Sequence, residues 1–235
     1  GKVTSMERMF CNAKVFNADL TGWNVGEVTT MSGMFQSALA FNGDLTGWVT
    51  ATSKVTSMHY MFHKTSAAFT GVGLASWNVG SVTSMAGMFH EARGMNADIS
   101  SWDTSEVTNM DSMFESANVF NHNLQNWQTS KVTTMREMFY NAYEFTGSGL
   151  SEWNVEQVED MYRMFAYAKK FNGDLSGWIS TKVTTMYEMF RNTDVFTGSG
   201  LSQWNVGKVT SMERMFYYAK VFNADLTGWN VGEVT

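Results

Sequence analysis

The sequence predicts an α/β repeat solenoid: nine coils of about 25 residues, each with a short strand and a short helix, joined by a continuous parallel sheet. Three observations predict it. The segment V-T-x-M-x-x-M-F-x-x-A-x-x-F-N-x-D-L-x-x-W-N-V recurs throughout the 235 residues, dividing them into units 3–27, 28–54, 55–81, 82–106, 107–131, 132–157, 158–182, 183–208 and 209–233. The composition is unusual, with 19 Met, 9 Trp, 17 Phe, no Pro and 16% charged residues. The repeat explains it: two Met, one Trp and two Phe per unit, with Met95 in place of one Phe. Finally, a 25-residue unit cannot bury this many apolar positions alone, whereas stacked copies make one continuous core.

Each element follows from spacing. Met6, Met9, Phe10 and Ala13 stand at i, i+3, i+4 and i+7, which predicts a two-turn helix with one buried face. Phe16, Leu20, Trp23 and Val25 alternate roughly with polar residues, which predicts a short strand and an extended turn. Gly22, Gly47, Gly177 and Gly228, just before Trp, mark a tight turn. Units three, six and eight carry F-T-G-x-G-L at 69–74, 145–150 and 196–201, an extra residue with paired glycines that predicts a bulge or a wider corner. At about 4.8 Å per strand, nine coils make a rod on the order of 40 Å long.

The recurring pattern resembles the repeats of BspA-like leucine-rich-repeat surface proteins and the related mycoplasma lipoprotein repeats. Here M-F-x-x-A-x-x-F (Met9–Phe16) stands where commoner members have A-F-x-x-C-x-x-L, which favours the Met-rich lipoprotein type. The resemblance implies a leucine-rich-repeat-like solenoid on the cell surface or outside the cell, used in adhesion or surface structure. It brings no catalytic residues and no cofactor.

Residues 1–29 and 207–235 agree at 27 of 29 positions, differing at Cys11/Tyr217 and Asn12/Tyr218. A second period of 206 residues, eight coils, therefore underlies the first, and a segment of a longer array built by block duplication is expected. With 44% hydrophobic and 14% aromatic residues the chain is no disordered segment. It holds no apolar run long enough to span a membrane. A net charge of −6 offers no basic footprint for nucleic acid, and one Cys makes no internal disulfide.

Four groups of residues are candidates for chemistry. The column Asn17, Asn42, Asn96, Asn121, Asn172, Asn223 and its neighbour Asp19, Asp44, Asp98, Asp174, Asp225 are expected to bond loop backbone rather than calcium. His59, His63 and His90, with Glu115 in the same column, have zinc-ligand chemistry, but a solvated shoulder is the plainer expectation, and no metal is assigned. Thr4 and its counterparts form an array that could order ice, or simply suit extended backbone. A nucleophile–base arrangement is absent, so no enzyme is expected.

The fourth group is the expected contact surface: Tyr140, Tyr143, Tyr162, Arg163, Tyr167, Tyr187, Arg214, Tyr217 and Tyr218. Tyr and Arg are the residues of binding hot spots, although rings lying flat on neighbouring coils would explain the cluster equally well. Glu137, Arg163, Glu188 and Arg214 alternate in sign along one column and should pair between coils. The function expected is a non-enzymatic structural or adhesive repeat protein, part of a fibre. The partners expected are self-association or neighbouring repeat blocks. The alternative is a module that binds a host protein or glycan through the Tyr-rich face, and ice binding is a distant third.

Overall fold

The computed structural model describes residues 2–48 and 52–235; residues 1 and 49–51 lie outside them. The chain stacks coil upon coil, but without the elements expected. Among the described residues there is no α-helix and no extended strand. The regular elements are four single-turn 3-10 helices, Thr46–Trp48, Leu74–Ser76, Leu150–Glu152 and Leu201–Gln203. Neighbouring coils share one isolated parallel bridge each, running Ser5, Thr30, Ser57, Ser84, Asn109, Thr134, Asp160, Thr185 and Ser211. The α/β solenoid with a continuous parallel sheet, and with it the leucine-rich-repeat architecture, is therefore corrected.

The physical reason lies in two residues per coil with positive φ. Gly33 (61°) and Ser37 (58°) occupy the third positions of two four-residue turns, Met31–Met34 and Phe35–Ala38. Positive φ there is what a type II turn requires, and it breaks an α-helical ladder. The N–H groups then alternate in direction. Met34, Gln36 and Ala38 donate within the coil to Met31, Gly33 and Phe35. Met31, Gly33, Phe35 and Ser37 donate to Ser57, His59, Met61 and His63 of the next coil, at 2.7 to 3.1 Å. A helix would have kept all these bonds inside one segment; here half of them run along the stack.

The same spacing that predicts a helical face survives this change. Met31, Met34, Phe35 and Ala38 all point inward and are fully buried. The first Phe of each unit forms a ladder, Phe10–Phe35–Phe62–Phe89–Phe114–Phe139–Phe165–Phe190–Phe216, with centroids 5.5 to 5.7 Å apart. Within a coil it stacks on the second Phe, at 3.9 Å for Phe35 and Phe41. The Trp rings form a second ladder, nearly parallel at 6.2 Å for Trp127 and Trp153. From coil two onward each indole also donates to a carbonyl in the preceding coil, as Trp102 does to Leu74 at 2.9 Å and Trp178 to Leu150 at 2.7 Å. The indole thereby places apolar area and a hydrogen bond in the same contact between coils.

In the paired-glycine units a left-handed glycine, Gly73, Gly149 or Gly200, leads directly into a single-turn 3-10 helix. Gly200 has φ 86°, and a Cβ there would lie 2.2 Å from the Ser176 backbone nitrogen in the coil below. Gly73 and Gly149 make the same approach, so glycine is needed for both angle and space.

Candidate functional site

Two columns flank the inward Met and Phe and project outward, and they bring the expected contact residues together in coils six to nine. In one column Arg136 lies over the Tyr162 ring, 3.9 Å from its centroid, and Tyr162 stacks on Tyr187 at 5.1 Å and 6°. In the other, Tyr140 meets Tyr167 edge-on at 5.6 Å, and Arg191 sits 5.3 Å from both Tyr167 and Tyr217. Tyr140, Tyr162, Arg163, Tyr167 and Tyr187 are half-buried, held by one another and by arginine. Tyr143, Arg214, Tyr217 and Tyr218 are exposed, with Tyr218 at 63% and Lys169 5.7 Å from the Tyr143 ring. The nine residues thus divide into a packed ribbon and an outward-facing rim, of which Arg214, Tyr217 and Tyr218 stand in coil nine with no further coil described over them.

Beneath the ribbon lies a group that column alternation alone does not reveal. Glu188 is fully buried and accepts from Arg163 Nε at 2.7 Å and Arg191 Nη1 at 2.5 Å, with Arg214 Nη1 at 3.7 Å. Arg163 also reaches Glu137 at 3.8 Å, so the charges pair along the stack. Burial pushes the Glu188 carboxyl up, but the Arg163 and Arg191 hydrogen bonds outweigh it and hold the carboxyl below its usual range.

The column of Tyr140, Arg191 and Tyr217 continues through coils one to five as Cys11, Gln36, His63, His90 and Glu115. His63 Nδ1 lies 3.3 Å from the Gln36 amide nitrogen, and the His63 and His90 rings stack at 4.5 Å. His90 Nε2 faces Glu115 at 3.3 Å and Glu91 at 3.6 Å. His59 belongs to a different column, beside Tyr60. Burial, then the neighbouring His90 charge, pull His63 down to about 4. The folded chain therefore binds fewer protons here than the unfolded chain between pH 4 and about 6.5. The contribution of a neutral His63 is present above pH 6.5 and lost as pH falls towards 4. In chelator-treated buffer, wild type should lose more stability than His63→Gln across that window, by about 2 kcal/mol. Parallel pH profiles of urea denaturation check this, and coincident curves would refute it.

The remaining columns are structural. Asn121 Oδ1 accepts from the Thr146 backbone at 2.9 Å, and Asn17 Oδ1 from Asn42 at 2.8 Å, tying each loop to the next coil. Asp19, Asp98 and Asp174 accept from the backbone N–H two residues on, forming Asx turns. Hydroxyls of the threonine array donate to the previous coil, as Thr83 does to Thr56 at 3.2 Å and Thr133 to Thr108 at 3.2 Å. Among the described residues no helix is long and apolar enough to cross a membrane.

No curated protein matches the chain. A family model described as "Mycoplasma protein of unknown function, DUF285" matches three times, at residues 1–71, 64–178 and 145–235. The matches overlap and together span the sequence, supporting the mycoplasma side of the resemblance and not the BspA-like leucine-rich-repeat side. The chain therefore belongs to this mycoplasma family, whose function is unknown.

Proposed function

We propose that the protein is a non-enzymatic structural or adhesive repeat protein of the cell surface or extracellular space, acting by lateral contact with copies of itself or with neighbouring repeat blocks. The observation that carries this reading is the ribbon of Tyr140, Tyr162, Tyr167 and Tyr187, its rings held in place by one another and by arginine, with Tyr143 exposed in the same coils. A ribbon ordered by arginine stacking loses little side-chain freedom on contact, and exposed aromatic area supplies the attraction. Repetition along a stack adds weak contacts through multivalency. The surface location rests on the family resemblance.

The second reading is a module for a host protein or glycan. The Tyr143 ring with Lys169 above it favours that reading, being a flat apolar face next to a cation. One experiment separates the two. Tyr143→Ser, Tyr217→Ser and Tyr218→Ser combined leave the Tyr162–Tyr187 stack and the Tyr140–Tyr167 contact alone, although Tyr217 also lies against Arg191. Self-association, followed by sedimentation, is expected to weaken by about tenfold or more, each exposed anchor contributing about 1 kcal/mol. Binding to cells or glycan arrays, lost while sedimentation stays unchanged, would select the module. If assembly and binding both survive in a folded variant, the rim has no contact role.

A further inference from the structure

We infer that His63, His90 and Glu91 form a binding site for a zinc-type divalent transition-metal ion, in the half of the stack remote from the tyrosine rim. Each of the three residues offers a ligand atom, and these atoms lie within 4.8 Å of one another. Four-coordinate zinc, with bonds of about 2.0–2.2 Å to nitrogen and oxygen, needs its ligands about 3.3 Å apart. Side-chain adjustments of under about 1 Å close that gap, within the freedom of side chains that are only half-buried.

The hydrogen bonds around the rings identify the free donors. His63 Nε2 and His90 Nδ1 are withdrawn from solvent and have no hydrogen-bond partner among the described residues. The opposite nitrogens are engaged, His63 Nδ1 with Gln36 and His90 Nε2 with Glu115. A metal-bound imidazole usually has its other nitrogen held in this way by an amide or carboxylate, which fixes the tautomer and aims the ligand. A buried ring nitrogen without a partner is costly in a finished core, and an ion satisfies two of them at once.

The stack explains why the pair forms. His63 and His90 hold the same position in successive coils, so the coil spacing sets the two rings face to face at 4.5 Å. Glu91 follows His90 at the next position, where φ is 55°, and its carboxylate turns back to lie 3.6 Å from His90 Nε2, from where it must swing to the Nδ1 side to join the ion. It pairs there with Lys64 at 3.1 Å, a partly exposed contact that a doubly charged ion at the rings would displace. Two imidazoles and one carboxylate favour zinc, cobalt or nickel over calcium or magnesium, which prefer all-oxygen shells. Water completes the fourth position.

The test uses chelator-stripped full chain titrated with zinc by calorimetry and with cobalt by visible absorption. One ion per chain is expected, with a tetrahedral cobalt spectrum. His63→Ala and His90→Ala should each weaken binding about 100-fold or more, Glu91→Gln about tenfold, and His59→Ala and His122→Ala should leave it unchanged. Imidazole proton resonances of wild type under zinc titration give an answer independent of any variant. Shifts confined to His63 and His90 support the site. An absence of binding, shifts spread equally over all four histidines, or equal loss in the His59 and His122 variants would overturn it.

Discussion

Replacing Trp102 with alanine is expected to destabilise the protein by about 3–5 kcal/mol. The ring is 2% exposed, lies 6.4 Å from Trp127 in its ladder and meets Phe89 at 6.2 Å. Removing it opens a cavity between coils and also takes one of the two donors from the Leu74 carbonyl, which keeps the Trp77 backbone N–H at 3.1 Å. Trp102→Phe keeps much of the apolar area and loses the donor, so it should cost less than Trp102→Ala. Urea titration followed by tryptophan fluorescence measures both. If Trp102→Ala shifted the midpoint no more than the surface change Val119→Ala, the Trp ladder would not be the core of the stack.

Glu188→Ala is the second large effect, expected at about 2–4 kcal/mol. Breaking a buried charge pair by removing one partner typically costs about 3–5 kcal/mol. The lower range applies here because Arg163 and Arg191 retain 29% and 23% side-chain exposure and recover some solvation. Removing the acid leaves three guanidinium groups facing one another around an apolar gap. The sign with pH follows from the depressed carboxyl. Its contribution is fully present above the usual carboxylate range and is lost as pH falls through the folded-state value. Glu106 and Lys131, an exposed pair on the same stack, should contribute far less and respond more strongly to salt. A Glu188→Ala variant as stable as wild type at neutral pH would show that the arginines need no counter-charge.

Coil number, coil length and the identity of the buried residues were legible because each inward position recurs every 25 to 27 residues. The local backbone was misread for a specific reason. Spacing of i, i+3, i+4 and i+7 is shared by an α-helical face and by successive turns with left-handed third residues. The distinguishing signal was present in other columns. Gly33 and Gly87 occupy one positive-φ position, and Asn12, Asn141 and Asn192 the other, residues that tolerate that region. The expected sheet fails because a single residue per coil pairs across the stack before the chain turns away. In the site, the column alternation of Glu137, Arg163, Glu188 and Arg214 was readable, whereas the full burial of Glu188 depends on three arginines folding over it. Glu91 escaped notice because its position holds Lys64 and Ser116 in adjacent coils, and only a turn brings its carboxylate to the rings.

The alternating N–H directions make the stack mechanically anisotropic. Bonds from Met31, Gly33, Phe35 and Ser37 to the following coil lie along the stacking direction. Tension applied through the two ends of the chain therefore loads them one coil at a time, in peeling rather than in shear. Each coil that detaches releases about 80 Å of chain at the extended length per residue. It also exposes an equivalent face on the next coil, so the force needed to continue stays nearly level. A row of near-identical contacts resists a pull by lengthening in steps, dissipating work at each one, and recoils by restacking from the coils that remain.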